Sequence, residues 1–322
     1  MTAYLIRRLL LVIPTLLIVS LTIFIVIRII PGDTIDLMIS SHAAGLTKEV
    51  QMEMRDYLEK TLGLDVPMHV QFGRWIKGII LHGDLGTSLW KKTPVTDELI
   101  QKIPISFELG IIGLAVAMLI SFPIGIYSAI RQDTVGDYVG RSFAIACISV
   151  PSFWLGTMVV VFPSIWWAWS PPLMPIPFWE DPMGNLAQFA LPGAILGMSM
   201  CGVNMRYIRT MMLEVLRQDY IRTAWSKGLR ERTVVVRHAM KNALIPVITL
   251  LGLSVPVLVG GTVILEQIFS LPGMGRLLVS SAFVRDYTII SGVSLTIAVV
   301  VVFINLCVDL LYGALDPRIR LQ

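Results

Sequence analysis

The side chains that most often do chemistry in proteins are few in this chain and do not form reactive patterns. Its four histidines, His42, His69, His82 and His238, are scattered and have no metal-ligand spacing. Its three cysteines form neither a CxxC pair nor a disulfide framework. The sequence therefore predicts no metal site and no catalytic residue.

A nucleotide-binding motif is also missing. The phosphate-binding loop of ATPases reads Gly-x-x-x-x-Gly-Lys-Ser/Thr, and its amides and lysine cradle the phosphates. The 322 residues contain no such pattern. We therefore expect a chain that is not an enzyme and holds no cofactor of its own, so any energy that its function needs must come from elsewhere.

Composition predicts a membrane protein. Hydrophobic residues make up 55% of the chain and charged residues 15%, with a mean hydropathy of +0.75. Six stretches lack Asp, Glu, Lys and Arg and are long enough to cross a bilayer, which takes roughly 20 helical residues: 9–27, 109–130, 142–179, 182–205, 242–265 and 287–308. Prolines from position 171 onward break the long third stretch, so we expect one span there followed by an outer loop. The prediction is an all-α, polytopic fold with six transmembrane helices.

The distribution of Lys and Arg predicts the orientation. Nine basic residues lie in 206–241, called here the basic segment, whereas the loop 170–188 has none. Both termini are therefore expected in the cytoplasm. The predicted organisation is an N-terminal tip with the first span (1–30), a helical extracytoplasmic insertion (31–104), a transmembrane core with its cytoplasmic loop at 206–241 (105–312), and a cytoplasmic tail (313–322). The modest net charge of +4 follows from this asymmetry and gives no reason to expect nucleic acid.

The insertion is predicted to contain two helices. One has Thr47 as its start and Gly63 as its stop, and a second follows Pro67 and ends at the run that begins with Gly83. The module either packs over the spans as a cap or provides a docking surface for an external partner, and the sequence leaves both open.

Charged and polar groups near membrane depth are functional candidates because burying them is costly. Glu108, Glu266 and Asn305 are the candidates for a translocation path, and Arg28 flanks the first span. Asp309, one turn after Asn305, is expected to hold helices together. A secondary transporter would need paired acidic or basic residues at mid-span, and the sequence shows none. An ATP-independent secondary transporter is therefore kept as the alternative function.

Within the basic segment, Asp219 is predicted as an N-cap and Gly228 as a helix stop, giving a short helix over 220–227. Ile221, Ala224 and Trp225 share one face, and Leu229 follows the stop. The pattern fits a lever that meets a partner, and also an interfacial helix lying on anionic lipid.

The segment that begins Asp219-Tyr220-Ile221-Arg222-Thr223-Ala224-Trp225 and continues through Lys227-Gly228-Leu229 resembles the coupling loop of ABC importer permeases. Arg237-His238-Ala239-Met240 and Pro272-Gly273-Met274-Gly275 extend the likeness to the first membrane subunit of dipeptide, oligopeptide and nickel permeases. Further matches are Tyr4 to Arg8, Pro31-Gly32-Asp33, Gly83-Asp84-Leu85-Gly86 and Asp316-Pro317-Arg318. The wider importer pattern begins Glu-Ala-Ala, and Arg222 stands in place of the acidic residue, so no carboxylate role is implied there.

The resemblance implies a permease subunit in a prokaryotic inner membrane that imports peptides or peptide-like solutes. Its implied partners are a homologous second permease, an extracytoplasmic binding protein, membrane lipid and two cytoplasmic ATPase subunits, which are implied to bind ATP and Mg²⁺. Nickel chelates, glutathione and oligosaccharides are alternative solutes. Residues 220–225 and 227–229 are implied to couple the chain to the ATPase.

Overall fold

A computed structural model describes residues 2–29, 47–61, 63–243, 246–247 and 262–315, with single positions at 35, 39 and 252. Within these ranges the chain is helical, with one isolated antiparallel bridge between Thr87 and Pro94. The helices, in chain order, are α1 Thr2–Ile29, α2 Lys48–Thr61, α3 Met68–His82, α4 Val95–Ile130, α5 Val135–Ser149, α6 Ser152–Trp167, α7 Pro182–Leu216, α8 Asp219–Ser226, α9 Glu231–Thr233, α10 Met274–Phe283 and α11 Tyr287–Leu315. A π-helical stretch, Val234–Met240, continues α9, and residues 262–268 are also helical.

Four of the described helices are long and apolar enough to cross a membrane: α1, α4, α7 and α11. The pair α5 and α6 gives a fifth candidate span if it counts as one, but the two helices meet at an angle of 83°. The break falls at Pro151, which cannot donate a backbone hydrogen bond. The single span predicted for this stretch therefore stays a prediction. The predicted fifth span, 242–265, lies largely outside the described residues, so the total of six stays a prediction.

The chain divides into two compact units. The first comprises residues 1–8, 105–275 and 303–322, and the second comprises residues 9–104 and 276–302. The basic segment belongs to the first unit and the helices α2 and α3 to the second. The predicted domain boundaries stay a prediction.

In the first unit α4 and α7 pack closely because glycines face each other. A Cβ on Gly197 would lie 2.7 Å from the Gly113 carbonyl oxygen, and a Cβ on Gly113 would lie 2.7 Å from the Leu196 side chain. Small residues allow such approach between membrane helices, where association depends on packing. The adjoining core contains Leu109, Phe189 and Met200.

The two helices predicted between residues 47 and 83 are present as α2 and α3, whereas their place in an extracytoplasmic insertion stays a prediction. Gly63 and Gly83 follow α2 and α3 with φ of +65° and +63°, the left-handed conformation that glycine adopts without strain. The α3 residues Phe72 and Trp75 pack on Phe24 of α1, with ring centroids 5.4 and 6.1 Å away. The second unit therefore has an aromatic core between α1 and α3.

Asp286 fixes the loop before α4 to the start of α11 within the second unit. It is buried, and its Oδ2 accepts hydrogen bonds from Ser88 Oγ at 2.6 Å and the Leu89 amide at 3.1 Å. Its Oδ1 accepts from the Ile289 amide at 3.3 Å, which caps α11. A buried carboxylate needs such donors, so the loop is held in one place.

Candidate functional site

The short helix of the basic segment exists as predicted, shifted by one residue. It spans Asp219–Ser226, and the Gly228 amide donates to the Trp225 carbonyl at 2.9 Å. Gly228 has φ +73°, which confirms its role as the stop. Asp219 is not the N-cap, because Gln218 holds that position without a side-chain bond. Asp219 is the first helical residue, where its negative charge still favours the helix dipole. The basic segment is also less of a loop than expected, since α7 continues to Leu216.

The apolar face of α8 is covered by the chain itself. Ile221 is 0% exposed and Ala224 is 7% exposed, and both pack in a core with Ile208 and Met212 of α7 and Val234 of the following helix. The prediction that Ile221, Ala224 and Trp225 together face a partner is therefore wrong for the first two. An amphipathic pattern indicates that one face is covered but does not identify what covers it.

The surface that α8 leaves available is made by the other residues of the predicted set. Trp225 is 45% exposed and Tyr220 is 43% exposed. These two join exposed residues of the same segment: Arg222, Thr223, Lys227, Gly228 and Leu229. We call these seven residues the outward face. It combines aromatic and cationic side chains, a composition enriched in protein interfaces.

Tyr220 connects α8 to the helix that follows. Its hydroxyl accepts a hydrogen bond from Asn242 Nδ2 at 2.8 Å, and the same amide nitrogen lies 3.3 Å from the His238 carbonyl oxygen. The connecting π-helical stretch, Val234–Met240, buries Val234, Val235 and Ala239. The predicted helix from Glu231 is thus present, but seven of its residues have the wider π winding, which is rare and often lies at functional sites.

A buried ion pair joins α5 to α7 just before α8. Arg209 donates from Nε to Asp137 Oδ1 at 2.8 Å and from Nη2 to Asp137 Oδ2 at 2.7 Å. The Asp133 amide donates to the same carboxylate at 3.0 Å, and Asp137 has no exposed surface. This two-point geometry is the strong form of an Arg–carboxylate contact. The sequence analysis missed this pair.

A second ion pair joins Arg131, which follows α4, to Glu231, the first residue of α9. Arg131 Nη2 lies 3.2 Å from Glu231 Oε1, and both side chains are partly exposed. Arg131 begins the connection between α4 and α5, and Asp137 lies in the first turn of α5; we call residues 131–137 the α4–α5 turn. This turn therefore contacts one residue before α8 and one after it. In the sequence, these two pairs are indicated only by the opposite charges of their residues, Asp137 with Arg209 and Arg131 with Glu231.

The candidate path residues lie in different surroundings. Glu266 is fully buried, accepts from Ser106 Oγ at 2.6 Å, and has Gly273 against its carboxylate. Glu108 is partly buried and lies beside Asn185, whereas Asn305 is exposed on α11. Glu266 is therefore not accessible to a solute in this conformation. The assignment of the three to a path stays a prediction.

Asp309 forms the contact expected of it. Its Oδ2 lies 2.6 Å from Arg8 Nη1, which joins α11 to α1. Of the histidines, His42 lies outside the described residues. Among the described residues no group of three or more His, Cys, Asp or Glu side chains could hold a metal ion.

Comparison with known proteins decides the family. The family model described as the binding-protein-dependent transport system inner membrane component matches residues 121–321, and its N-terminal companion matches residues 1–110. The chain belongs to this family. It is a permease subunit of an ABC importer and a multi-pass protein of the bacterial inner membrane, as the sequence motifs predicted.

Individual relatives match over the whole length. A putative peptide transport system permease of Brucella abortus is 38% identical over 321 residues, covering 99% of each chain. The dipeptide transport system permease DppB of Escherichia coli is 36% identical over 344 residues, and the glutathione transport system permease GsiC of Pectobacterium atrosepticum is 38% identical over 320 residues. Each of these alignments also covers 99% of both chains.

The burial of Ile221 predicts a structural role for it. Changing Ile221→Ala should lower the free energy of unfolding by about 2–5 kcal/mol, because it removes buried methyl groups and leaves a cavity. The matched change Thr223→Ala, on an exposed position of the same helix, should stay within about 0.5 kcal/mol. Thermal unfolding of the purified protein in detergent measures both. Equal midpoints for the two variants would contradict the assigned face.

The ion pairs predict different sensitivities. Asp137→Asn leaves the partly exposed Arg209 guanidinium without its charged partner and should cost about 1–3 kcal/mol, so amide hydrogen exchange over residues 205–230 should accelerate. Glu231→Gln breaks an exposed pair worth about 0–1 kcal/mol and should change the exchange rate little. Exchange in Asp137→Asn that matches the unaltered protein would show that the pair does not fix this segment.

Proposed function

We propose that this chain moves peptides or peptide-like solutes into the cell, in a complex that contains a second homologous permease, two cytoplasmic ATPase subunits and an extracytoplasmic binding protein. The peptide and dipeptide permeases that it resembles over their full length support the solute class. Permeases of this family work with ATPase and binding-protein components in ABC importers. Both termini lie in the cytoplasm in this proposal, which the concentration of Lys and Arg in the basic segment supports.

The observation that carries the proposal is the division of α8 into two faces. Its inner face, Ile221 and Ala224, is packed into its own chain, so the helix cannot move without moving α7 and the following helix. Its outward face is held out by the same packing. A helix fixed on one side and exposed on the other transmits a push to what it is fixed to, because packed elements shift as bodies.

In the proposed cycle, ATP binding closes the ATPase pair and displaces the outward face of α8. The displacement passes to α7 through the shared core and to α5 through Asp137 and Arg209. The solute cavity then opens to the outside, and hydrolysis resets it. This chain supplies no group that reacts with ATP in this cycle. It supplies the coupling surface and the connected helices.

Glutathione is a second candidate solute, since the Pectobacterium relative is named for its transport. Nickel chelates and oligosaccharides remain further alternatives within the same type of complex. The solute that co-purifies with the cognate binding protein, identified by mass spectrometry, distinguishes them. The alternative of another class is an ATP-independent secondary transporter.

Reconstitution tests the importer proposal. Proteoliposomes that contain both permeases, the ATPase subunits, the binding protein and internal ATP should take up a labelled dipeptide. Omitting ATP, or any one of the components, should abolish uptake, because the chain has no energy source of its own. Uptake by this chain alone without ATP would contradict the proposal and favour a secondary transporter.

The outward face is tested by Trp225→Ala. Buried interfacial tryptophans contribute about 2 kcal/mol or more to binding, so the affinity of the ATPase subunits for the permease should fall by roughly thirtyfold. The matched control is Trp167→Ala, since Trp167 is also exposed but ends α6. Thermal unfolding of the subunit should change little in either variant. If Trp225→Ala leaves the affinity unaltered but weakens binding to anionic vesicles, α8 is an interfacial lipid helix instead.

A further inference from the structure

A cavity of about 260 Å³ lies in the second unit, away from the basic segment in sequence. Six of its ten lining residues carry polar side chains: Arg28, Gln71, Arg74, Tyr287, Thr288 and Ser291. None of the ten is acidic, so two guanidinium groups meet this space without a carboxylate on its walls. A cavity with this lining attracts an anion.

Arg28 is held in place by a neutral partner. Its Nε and Nη2 donate to Gln71 Oε1 at 3.2 and 2.8 Å, and Gln71 Nε2 donates to the Leu64 and Val66 carbonyls at 3.3 and 2.8 Å. The guanidinium also lies 5.0 Å from the centroid of the Phe24 ring. Its orientation is thus fixed while its charge is not neutralised by these contacts. A charge fixed in this way binds an anion with little loss of side-chain entropy.

The position of the cavity indicates which anion. Arg28 is the penultimate residue of α1, an apolar helix most of whose surface is not buried within the chain. Its neighbours Ile25, Val26 and Ile29 are exposed. The end of an apolar span lies at the depth of the lipid headgroups. Phe24, Ile27 and Trp75 give the cavity an apolar wall. A phospholipid whose phosphate lies between Arg28 and Arg74 would have its acyl chains along the exposed side of α1.

We propose that this cavity binds the phosphate headgroup of an anionic phospholipid. Arg28 and Arg74 pair with the phosphate, and the hydroxyls of Tyr287, Thr288 and Ser291 can hydrogen-bond the rest of the headgroup. The lipid would hold α1, α3 and α11 together at one membrane surface. This proposal does not depend on which solute the importer carries.

The test uses the assembled transporter in detergent and native mass spectrometry. Phosphatidylglycerol should be retained more tightly than phosphatidylcholine with the same chains. Arg74→Gln should weaken retention about fivefold and the double change Arg28→Gln with Arg74→Gln about thirtyfold, since each arginine near a lipid surface contributes about 1 kcal/mol. Arg74 is exposed, so its single change also guards against a folding defect in the double variant.

Lys77→Gln is the matched control, because Lys77 is an exposed cation on the same helix that does not line the cavity. It should weaken retention less than Arg74→Gln does. Equal retention of phosphatidylglycerol by the double variant and the unaltered protein would overturn the proposal. Equal retention of the two lipids would overturn it as well. Displacement of phosphatidylglycerol by glycerol phosphate, which has no chains, would assign the cavity to a soluble phosphate ligand instead.

Discussion

The buried contact between Asp137 and Arg209 is the interaction on which the geometry of the basic segment depends. A carboxylate with no exposed surface is stable as a charged group only when donors surround it, and here two guanidinium nitrogens and a backbone amide do so. Removing Arg209 leaves the Asp137 carboxylate buried without its charged partner, so the pair holds α5 against α7. The residues that follow α7 start from this fixed point, and only two residues separate the end of α7 from the start of α8.

From that point, hydrophobic packing determines where α8 lies. Ile221 and Ala224 fill a core to which α7 and the π-helical stretch also contribute. Arg131 forms an ion pair with Glu231, which follows α8 in the sequence. The contacts that α8 makes with the described residues are with helices of the same unit. Movement of the outward face therefore has to move those helices, which is the property that an ATP-driven permease needs from this segment.

The sequence was informative where local chemistry decides the outcome. Gly228 stops α8, and Gly63 and Gly83 follow α2 and α3, because only glycine adopts positive φ without strain. The α8 face was misjudged since periodicity shows that Ile221 and Ala224 are covered, but it cannot show that the chain itself covers them. The angle of the bend at Pro151 could not be predicted for a related reason, because a run without charges gives a length and not a direction. The Asp137–Arg209 pair joins residues 72 positions apart, and no local rule relates them.

The central claim is that α8 drives α7 through their shared core, and that α7 drives α5 through the Asp137–Arg209 pair. It is tested most directly by exchanging the two charges in the reconstituted transporter and measuring solute imported per ATP hydrolysed. With Asp137→Arg or Arg209→Asp alone, the transporter should still hydrolyse ATP but import little solute per ATP. The two changes together should restore the amount of solute imported per ATP. Single reversals that import as the unaltered transporter does would contradict the claim.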